Sequence, residues 1–284
     1  MATWTPNPFY YDFGRPFPSK HVLSLFKESK IFKEFKTKKT VHIYEPCAGT
    51  GRIIIPLSIN YPSIQFIASD ISENMLSVLN YRIACENITN LISHESDILR
   101  FSTDAPSDLI IVSSALHAIP LWKEALNFLA KQLTPQGAIC LIGEEADLYN
   151  EALGRSSFIF NNQETDGILK KFWEIYRIAR KEVSAYDTEK SQVGCSWEIN
   201  NKEGVDYLKN IGFSVYEKTE VNWMQNLSIC TLLKIVKHRC YSSMFTIEDE
   251  IYDIIRTKVL TESKKLENCQ AVSRHSSMAL FMKR

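Results

Sequence analysis

The chain has 284 residues, with 33 basic and 33 acidic side chains and an apolar fraction of 45%. This length and apolar content allow one large α/β domain or two small ones with full hydrophobic cores, and they give no sign of disorder. The balanced charge argues against a nucleic-acid partner, which usually requires a basic excess, and the sequence contains no apolar run long enough to span a membrane.

The seven cysteines are scattered along the chain, and none forms a Cys-x-x-Cys pair. We therefore expect free thiols in a reducing compartment, with no disulfide framework and no metal site. The N-terminal residues lack the basic start and apolar stretch of a signal peptide, so we expect a cytoplasmic protein. We expect it to be either a monomer or a homodimer.

The first half of the chain alternates predicted strands and helices. After an irregular arm over residues 1–18 and a helix over 21–35, the predicted strands are 40–44, 64–69, 91–96, 108–113 and 138–143. The predicted helices between them are 50–60, 72–85 and 121–133. This alternation predicts a parallel sheet with right-handed crossover connections.

The second half is richer in helix. Its pattern predicts a long amphipathic helix over 165–185, a helix over 204–211, a strand from 212 to 217, a largely helical stretch over 226–265 and a last strand over 273–282. The expected fold is α/β, doubly wound and Rossmann-like, with a seven-stranded, mostly parallel sheet, helices on both faces and a helical cap.

A turn of small residues follows the first strand, in the sequence Glu45-Pro-Cys-Ala-Gly-Thr-Gly51. Glycines at this position allow the backbone to approach a ligand at the carboxyl end of the sheet. Asp70 closes the second strand nineteen residues after Gly51, where a carboxylate can accept hydrogen bonds from both ribose hydroxyls. The arrangement predicts a cofactor that contains adenosine.

Three features favour S-adenosylmethionine (SAM) over NAD. Ile54 occupies the third glycine position of the dinucleotide fingerprint. The carboxylate of Glu45 would repel a pyrophosphate but suits the ammonium group of SAM. Asp97 and Ile98 follow the third strand, where a carboxylate and a flat apolar side chain could hold the adenine.

These motifs resemble those of the class I SAM-dependent methyltransferases. The matching segments are 45–51, Ser69-Asp-Ile-Ser-Glu-Asn-Met-Leu76, Ser96-Asp-Ile98, 108–119 and Leu133-Thr-Pro-Gln-Gly-Ala138. The resemblance implies that SAM is bound, with S-adenosylhomocysteine (SAH) as product, by Glu45, Gly49, Thr50, Gly51, Asp70, Ile71, Met75, Asp97, Ile98 and Ser113. Cys47 departs from the family pattern, which has its first glycine there.

The resemblance also suggests a domain plan and a kind of substrate. We expect a single domain over 1–284, with an arm and helix over 1–40, a SAM-binding core over 41–145, a helical cap over 146–203 and C-terminal strands with a helical insert over 204–284. The arm 11–18 and the insert resemble those of trans-aconitate-methyltransferase-like enzymes, which implies a small-molecule acceptor. The residues expected to bind it are Tyr11, Arg15, Trp173, Tyr176 and Trp223.

Methyl transfer is an in-line displacement from a donor already activated by its positive charge, so the protein mainly supplies alignment. A base is needed only when the acceptor oxygen or nitrogen carries a proton, and His117, after the fourth strand, is the candidate. The alternative interpretation of His117 is a packed loop residue that hydrogen-bonds to the backbone.

Other functions stay open at this point. An NAD(P)-dependent oxidoreductase is disfavoured by Ile54 and Glu45, and a non-catalytic protein that keeps the fold is not excluded. Asn7-Pro-Phe-Tyr10 resembles the signature of adenine-N6 methyltransferases, but in those enzymes it follows the fourth strand. Its position and the neutral charge make nucleic-acid methylation a weaker alternative.

Overall fold

A computed structural model describes residues 8–14, 16–144, 167–184, 201–240, 244, 247–266 and 268–284. The described residues contribute seven strands: β1 (His42–Pro46), β2 (Gln65–Asp70), β3 (Leu91–Glu95), β4 (Ser107–Ser113), β5 (Leu133–Glu144), β6 (Ser214–Ser228) and β7 (Gln270–Lys283). They form one sheet in the order β3-β2-β1-β4-β5-β7-β6. Neighbours from β3 to β5 pair in parallel, and β7 runs antiparallel to β5. The predicted seven-stranded, mostly parallel sheet is confirmed.

The described helices are α1 (Pro8–Gly14), α2 (Ser19–Lys27), α3 (Lys30–Phe35), α4 (Ile54–Asn60), α5 (Glu73–Cys85), α6 (Trp122–Lys131), α7 (Gly167–Ser184), α8 (Asn201–Asn210), α9 (Ile229–Lys237) and α10 (Asp249–Glu262). Two short 3₁₀ helices lie at Leu116–Ala118 and Ser263–Leu266. No described helix combines the length and the apolarity that crossing a bilayer demands.

Both faces of the sheet are buried, as the continuous apolar sequence of β4 predicts. Leu109 and Ile111 point into one hydrophobic cluster, and Ile110 and Val112 point into a second. Helices α2 to α5 supply the first cluster, whereas α6 and α8 supply the second. The fold therefore has helices on both faces, which confirms the doubly wound architecture.

The chain divides into two compact units. The sheet unit contains Phe17–Asn150, Ser196–Val221 and Ser276–Arg284, and the helical unit contains Met1–Pro16, Glu151–Cys195 and Asn222–His275. Helices α7, α9 and α10 of the helical unit bury their apolar faces in a cluster of their own. The expected single domain, with its four segments, stays a prediction.

Two predictions about the N-terminal segment are wrong. Residues 8–14 are helical, although an irregular arm was expected up to residue 18. The predicted helix over 21–35 is two helices, α2 and α3, which meet at the buried Ser29. The Ser29 hydroxyl accepts from the Phe32 amide at 3.2 Å and donates to the Phe26 carbonyl at 2.8 Å, so it caps α3 and stops α2.

The sixth strand was predicted too short, because it continues to Ser228. Residues expected to begin a helical stretch at 226 belong to this strand, in which Trp223 and Leu227 are buried while Met224 and Asn226 are exposed. This alternation is the period of a strand. The next helix begins only after Ser228, whose side chain accepts from the Thr231 amide at 3.1 Å as an N-cap.

The fifth strand begins earlier than predicted. Helix α6 ends at Lys131, and Leu133 already pairs with Ser107 of β4. The register then jumps, because Leu109 pairs with Ala138. The predicted turn over 134–137 is therefore the irregularity within β5 that takes up the extra residues.

Candidate functional site

Strand register brings the predicted cofactor residues to one edge of the sheet unit. Pro46 pairs with Ser69 at the ends of β1 and β2, and Asp70 pairs with Glu95 at the ends of β2 and β3. The turn after β1 is tied to the neighbouring strand by a 2.9 Å hydrogen bond from the Ala48 amide to the Ser69 carbonyl. Glu45, the glycine turn and Asp70 therefore adjoin one another, as the parallel sheet predicted.

The turn has an unusual backbone. Gly49 and Gly51 have φ values of +58° and +83°, and Cys47, which is not a glycine, has +54°. A Cβ on Gly51 would lie 2.5 Å from Cδ1 of Leu79, whereas a Cβ on Gly49 would meet no atom within 4 Å. Gly51 is thus required for close packing on α5, while Gly49 borders open space that a ligand could occupy.

Asp70 does more than the sequence suggested. Its Oδ2 accepts from the Gly49 amide at 2.8 Å, and its Oδ1 accepts from the Ser72 amide at 2.9 Å. Burial raises the pKa of Asp70, and these backbone donors oppose that rise. A carboxylate has about four lone-pair positions, so both oxygens keep capacity for ribose hydroxyls.

Glu45 is a buried acid, and one of its carboxyl oxygens lacks a hydrogen-bond partner. Its side chain is 2% exposed, and Oε2 has no hydrogen-bond partner. Burial raises the pKa of Glu45 to about 8, against the opposing effects of the Arg52 charge and the Ile54 amide, while Asp70 adds to the rise. A positively charged hydrogen-bond donor would stabilise the ionised form of such a buried side chain and would pair with its free oxygen.

Cys47 lies among the predicted acidic residues. Burial raises the pKa of its thiol, and the charges of Asp70, Glu45 and Asp97 raise it further, in that order of effect. Three acids predicted separately from three strand ends therefore act on one half-buried position in the glycine turn. A cationic ligand would favour the ionised forms of these acids.

The other predicted cofactor residues differ in their exposure. Asp97 is half-buried, and its Oδ1 accepts from the Leu99 amide at 2.9 Å. Ile71 is 67% exposed next to Asp70 in the chain, so its side chain is available to an adenine ring, whereas Ile98 is buried in the second hydrophobic cluster. The remaining three are the buried Thr50, the fully buried Met75 and the half-buried Ser113 at the end of β4.

His117 lies in the short 3₁₀ helix after β4. Its neighbour Leu116 is buried, and helix α8 packs so closely there that a Cβ on Gly204 would lie 2.7 Å from Cδ1 of Leu116. The Ser114 amide also donates to the Ile142 carbonyl at 3.1 Å. The half-buried imidazole is thus carried on a fixed segment after β4, and its role as a base stays a prediction.

The residues predicted to bind the acceptor belong to the helical unit. Trp173 and Tyr176 lie on α7, Trp223 lies on β6 and Tyr11 lies on α1, and all four are buried. Burial raises the pKa of Tyr176 to about 12, and its hydroxyl has no hydrogen-bond partner. Arg15 lies outside the described residues.

Sequence reasoning missed two side-chain hydrogen bonds at this edge of the sheet, one involving Ser72 and one involving Arg82. Ser72 was expected to cap α5, and it does so by accepting from the Met75 amide, but its own amide also binds Asp70. Arg82 of α5 donates from Nη1 to the Thr50 carbonyl at 2.9 Å. No local pattern indicated the Arg82 contact, because it joins residues 32 positions apart along the chain.

Comparison with known proteins agrees with this geometry. The family described as "Methyltransferase domain" matches residues 37–189, just over half of the chain. Demethylmenaquinone methyltransferase of Chlamydia caviae is 30% identical over 105 residues, covering 37% of this chain and 44% of that protein. The enzyme of the same name from Lactobacillus johnsonii is 25% identical over 150 residues, covering 52% and 54%. The chain thus spans about half the length of the curated relatives it matches.

The fold is also found among solved structures. YjhP of Escherichia coli aligns with a TM-score of 0.53 at 11% identity, covering 98% of this chain and all of that one. At this identity the likeness concerns the fold alone.

Within the described residues, no group of three His, Cys, Asp or Glu side chains could hold a metal ion.

Proposed function

The chain belongs to the methyltransferase-domain family, the kind of protein that its motifs resembled, and from this premise we propose that it transfers a methyl group from SAM to an oxygen or nitrogen of a small molecule. The NAD(P)-dependent alternative loses its support, because the matched family spans the glycine turn and the strand ends on which that alternative depended.

The observation that carries the proposal is the unpartnered Oε2 of Glu45. A buried carboxyl oxygen without a hydrogen-bond partner is costly, so the site fits a ligand that brings a donor. The ammonium of the methionine portion of SAM is such a donor, and its positive charge would favour the ionised form of Glu45. A pyrophosphate would have the opposite effect.

The other residues fit the rest of the ligand. Asp70 has capacity for the ribose hydroxyls, the exposed Ile71 can cover an adenine ring, and the half-buried Asp97 can accept from the adenine amino group. Gly49 leaves open space where the ligand would run past the turn. We assign Thr50, Gly51, Met75, Ile98 and Ser113 to the same site as residues that shape it.

When bound, SAM supplies a methyl group activated by the positive sulfonium. The chain's own residues bind and orient the donor, and alignment of this kind contributes up to about 7–11 kcal/mol in intramolecular reactions. His117 is the residue that would accept the proton of an acceptor hydroxyl or amine. Its place on a fixed segment after β4 supports this role.

A small-molecule acceptor has support from two sides. The chain carries no net charge, which is unlike proteins that bind nucleic acid. The curated relatives are named for demethylmenaquinone, which makes that compound a second candidate acceptor. We assign acceptor binding to Tyr11, Arg15, Trp173, Tyr176 and Trp223.

The test is transfer of isotope-labelled methyl from SAM. The purified protein is incubated with labelled SAM and a panel of small hydroxyl and amine compounds, with demethylmenaquinone and with DNA, and the products are followed by mass spectrometry. Label on a small hydroxyl or amine compound supports the proposal, and label on DNA contradicts it. Binding of SAH without transfer to any acceptor would favour the non-catalytic alternative.

A further inference from the structure

Arg82 connects helix α5 to the glycine turn. Its Nη1 donates to the main-chain oxygen of Thr50 at 2.9 Å. The side chain is half-buried and lies in the last turn of α5. Leu79, one turn earlier on the same face, is the residue against which Gly51 packs. One face of α5 therefore makes both an apolar and a polar contact with the turn.

The turn needs such contacts to keep one shape. Gly49 and Gly51 flank Thr50, and glycine gains more conformational freedom than other residues when a backbone is released. The peptide between Thr50 and Gly51 is held on both sides, because Arg82 binds its oxygen and the Ala48 carbonyl accepts from its amide at 3.0 Å. On the other side of Thr50, Asp70 holds the Gly49 amide.

The peptide plane links these contacts to ligand binding. A planar peptide fixes its carbonyl and its amide together, so a donor on the Thr50 oxygen also sets the direction of the neighbouring backbone. A hydrogen bond from a charged donor is stronger than a neutral one, and the long side chain of Arg82 spans from the last turn of α5 to the turn after β1. The backbone orientation at Gly49–Gly51 therefore sets the shape of the open space beside Gly49 that a ligand could occupy.

We propose that Arg82 is a positioning residue for cofactor binding, which holds the Gly49–Gly51 turn in the shape that accepts the ligand. The proposal rests on the proposed function, since the ligand concerned is SAM or SAH. Arg82 acts through Thr50 and is assigned no contact with the ligand or with the reacting atoms.

The experiment measures SAH affinity by calorimetry in wild-type protein and in three variants. Arg82→Met removes the donor but keeps an aliphatic stem, and Arg82→Lys keeps a charged donor. Lys131→Met removes an exposed cation from α6 of the same unit and serves as the matched control. Thermal unfolding without ligand is recorded for each variant.

We expect Arg82→Met to weaken SAH binding by about tenfold or more. Arg82→Lys should recover most of that loss, and Lys131→Met should bind within about twofold of wild type. Rescue by lysine distinguishes positioning from packing, because the two variants have stems of similar length. Should the methionine variant fail to fold, Arg82→Leu, which also lacks a donor, takes its place under the same criterion.

Two results would overturn the proposal. The first is SAH binding by Arg82→Met within about threefold of wild type, and the second is an equal loss in the methionine and lysine variants. Absence of SAH binding by the wild-type protein would instead contradict the proposed function. The failure of each claim is therefore recognised separately.

Discussion

The carboxylate of Asp70 and the amide of Gly49 are joined by a 2.8 Å hydrogen bond that ties the end of β2 to the glycine turn after β1. The other oxygen of Asp70 binds the Ser72 amide at 2.9 Å, at the start of α5. The side chain of Asp70 therefore holds both the turn and the start of the helix. The proposed contact with the ribose would be a second role of the same side chain.

Asp70→Ala should weaken SAH binding by about tenfold or more, because the change removes charge-assisted hydrogen bonds to the ligand and releases the turn. Calorimetry measures the affinity. Glu95→Ala is the matched control, since Glu95 pairs with Asp70 in the sheet but is exposed. Equal affinities of the Asp70 variant and wild type would contradict the placement of the ribose.

SAH binding should release a proton from Glu45. In the ligand-free protein burial raises the pKa of Glu45 to about 8, so the side chain holds a proton at pH 7. A bound ammonium favours the carboxylate and lowers this pKa, so affinity should rise with pH up to about 8 and then level off. Arg52 favours the ionised form and Asp70 opposes it in both states.

Calorimetry at pH 7 in two buffers of different ionisation enthalpy counts the released protons. We expect close to one proton per bound SAH in wild type and close to none in Glu45→Gln, which cannot ionise. The same count in both proteins would assign the proton to another group.

Gly51→Ala should lower the free energy of unfolding by about 2–3 kcal/mol, because the new Cβ would overlap Leu79 and Ile55. Gly212→Ala is the control for backbone strain alone. Its φ is also positive, at +95°, but no atom lies within 4 Å of the added Cβ, so a loss of about 1 kcal/mol is expected. Urea unfolding of both variants measures the difference. Equal losses in the free energy of unfolding would show that the added Cβ at residue 51 does not disturb its packing against Leu79.

Cys47→Gly should be more stable than Cys47→Ala by about 1 kcal/mol. Both changes remove the thiol, but only glycine also removes the Cβ that strains the backbone at a φ of +54°. Urea unfolding measures this difference as well. An alanine variant at least as stable as the glycine variant would mean that the turn holds Cys47 without strain.

Much of the sheet unit could be predicted from the sequence. Strand–helix alternation, the cap at Ser72 and the apolar run of β4 are local signals, and each corresponds to an element of the structure. The site at the strand ends follows from the parallel sheet, which places Glu45 and Asp70 at one edge whatever their distance along the chain.

The rest depended on contacts that local patterns do not contain. The break at Ser29 is an exception, because the serine bonds to Phe26 and Phe32, each only three residues away, inside a stretch whose apolar periodicity looked continuous. The bond from Arg82 to Thr50 joins residues 32 positions apart. The end of β6 was placed too early, because the alternation of the buried Trp223 and Leu227 with exposed neighbours is visible only in the structure, and the residues from 226 were predicted to be helical.

The most direct test of the account is a thermal-shift titration of the wild-type protein with SAH, with NADH and NADPH as controls. A ligand that binds only the native state stabilises it by RT ln(1 + L/Kd), where L is the free ligand concentration, so the unfolding temperature rises with ligand concentration. We predict a rise with SAH and none with either nicotinamide cofactor. A rise with NADH or NADPH and none with SAH would contradict the assignment of the Glu45–Asp70 site to SAM.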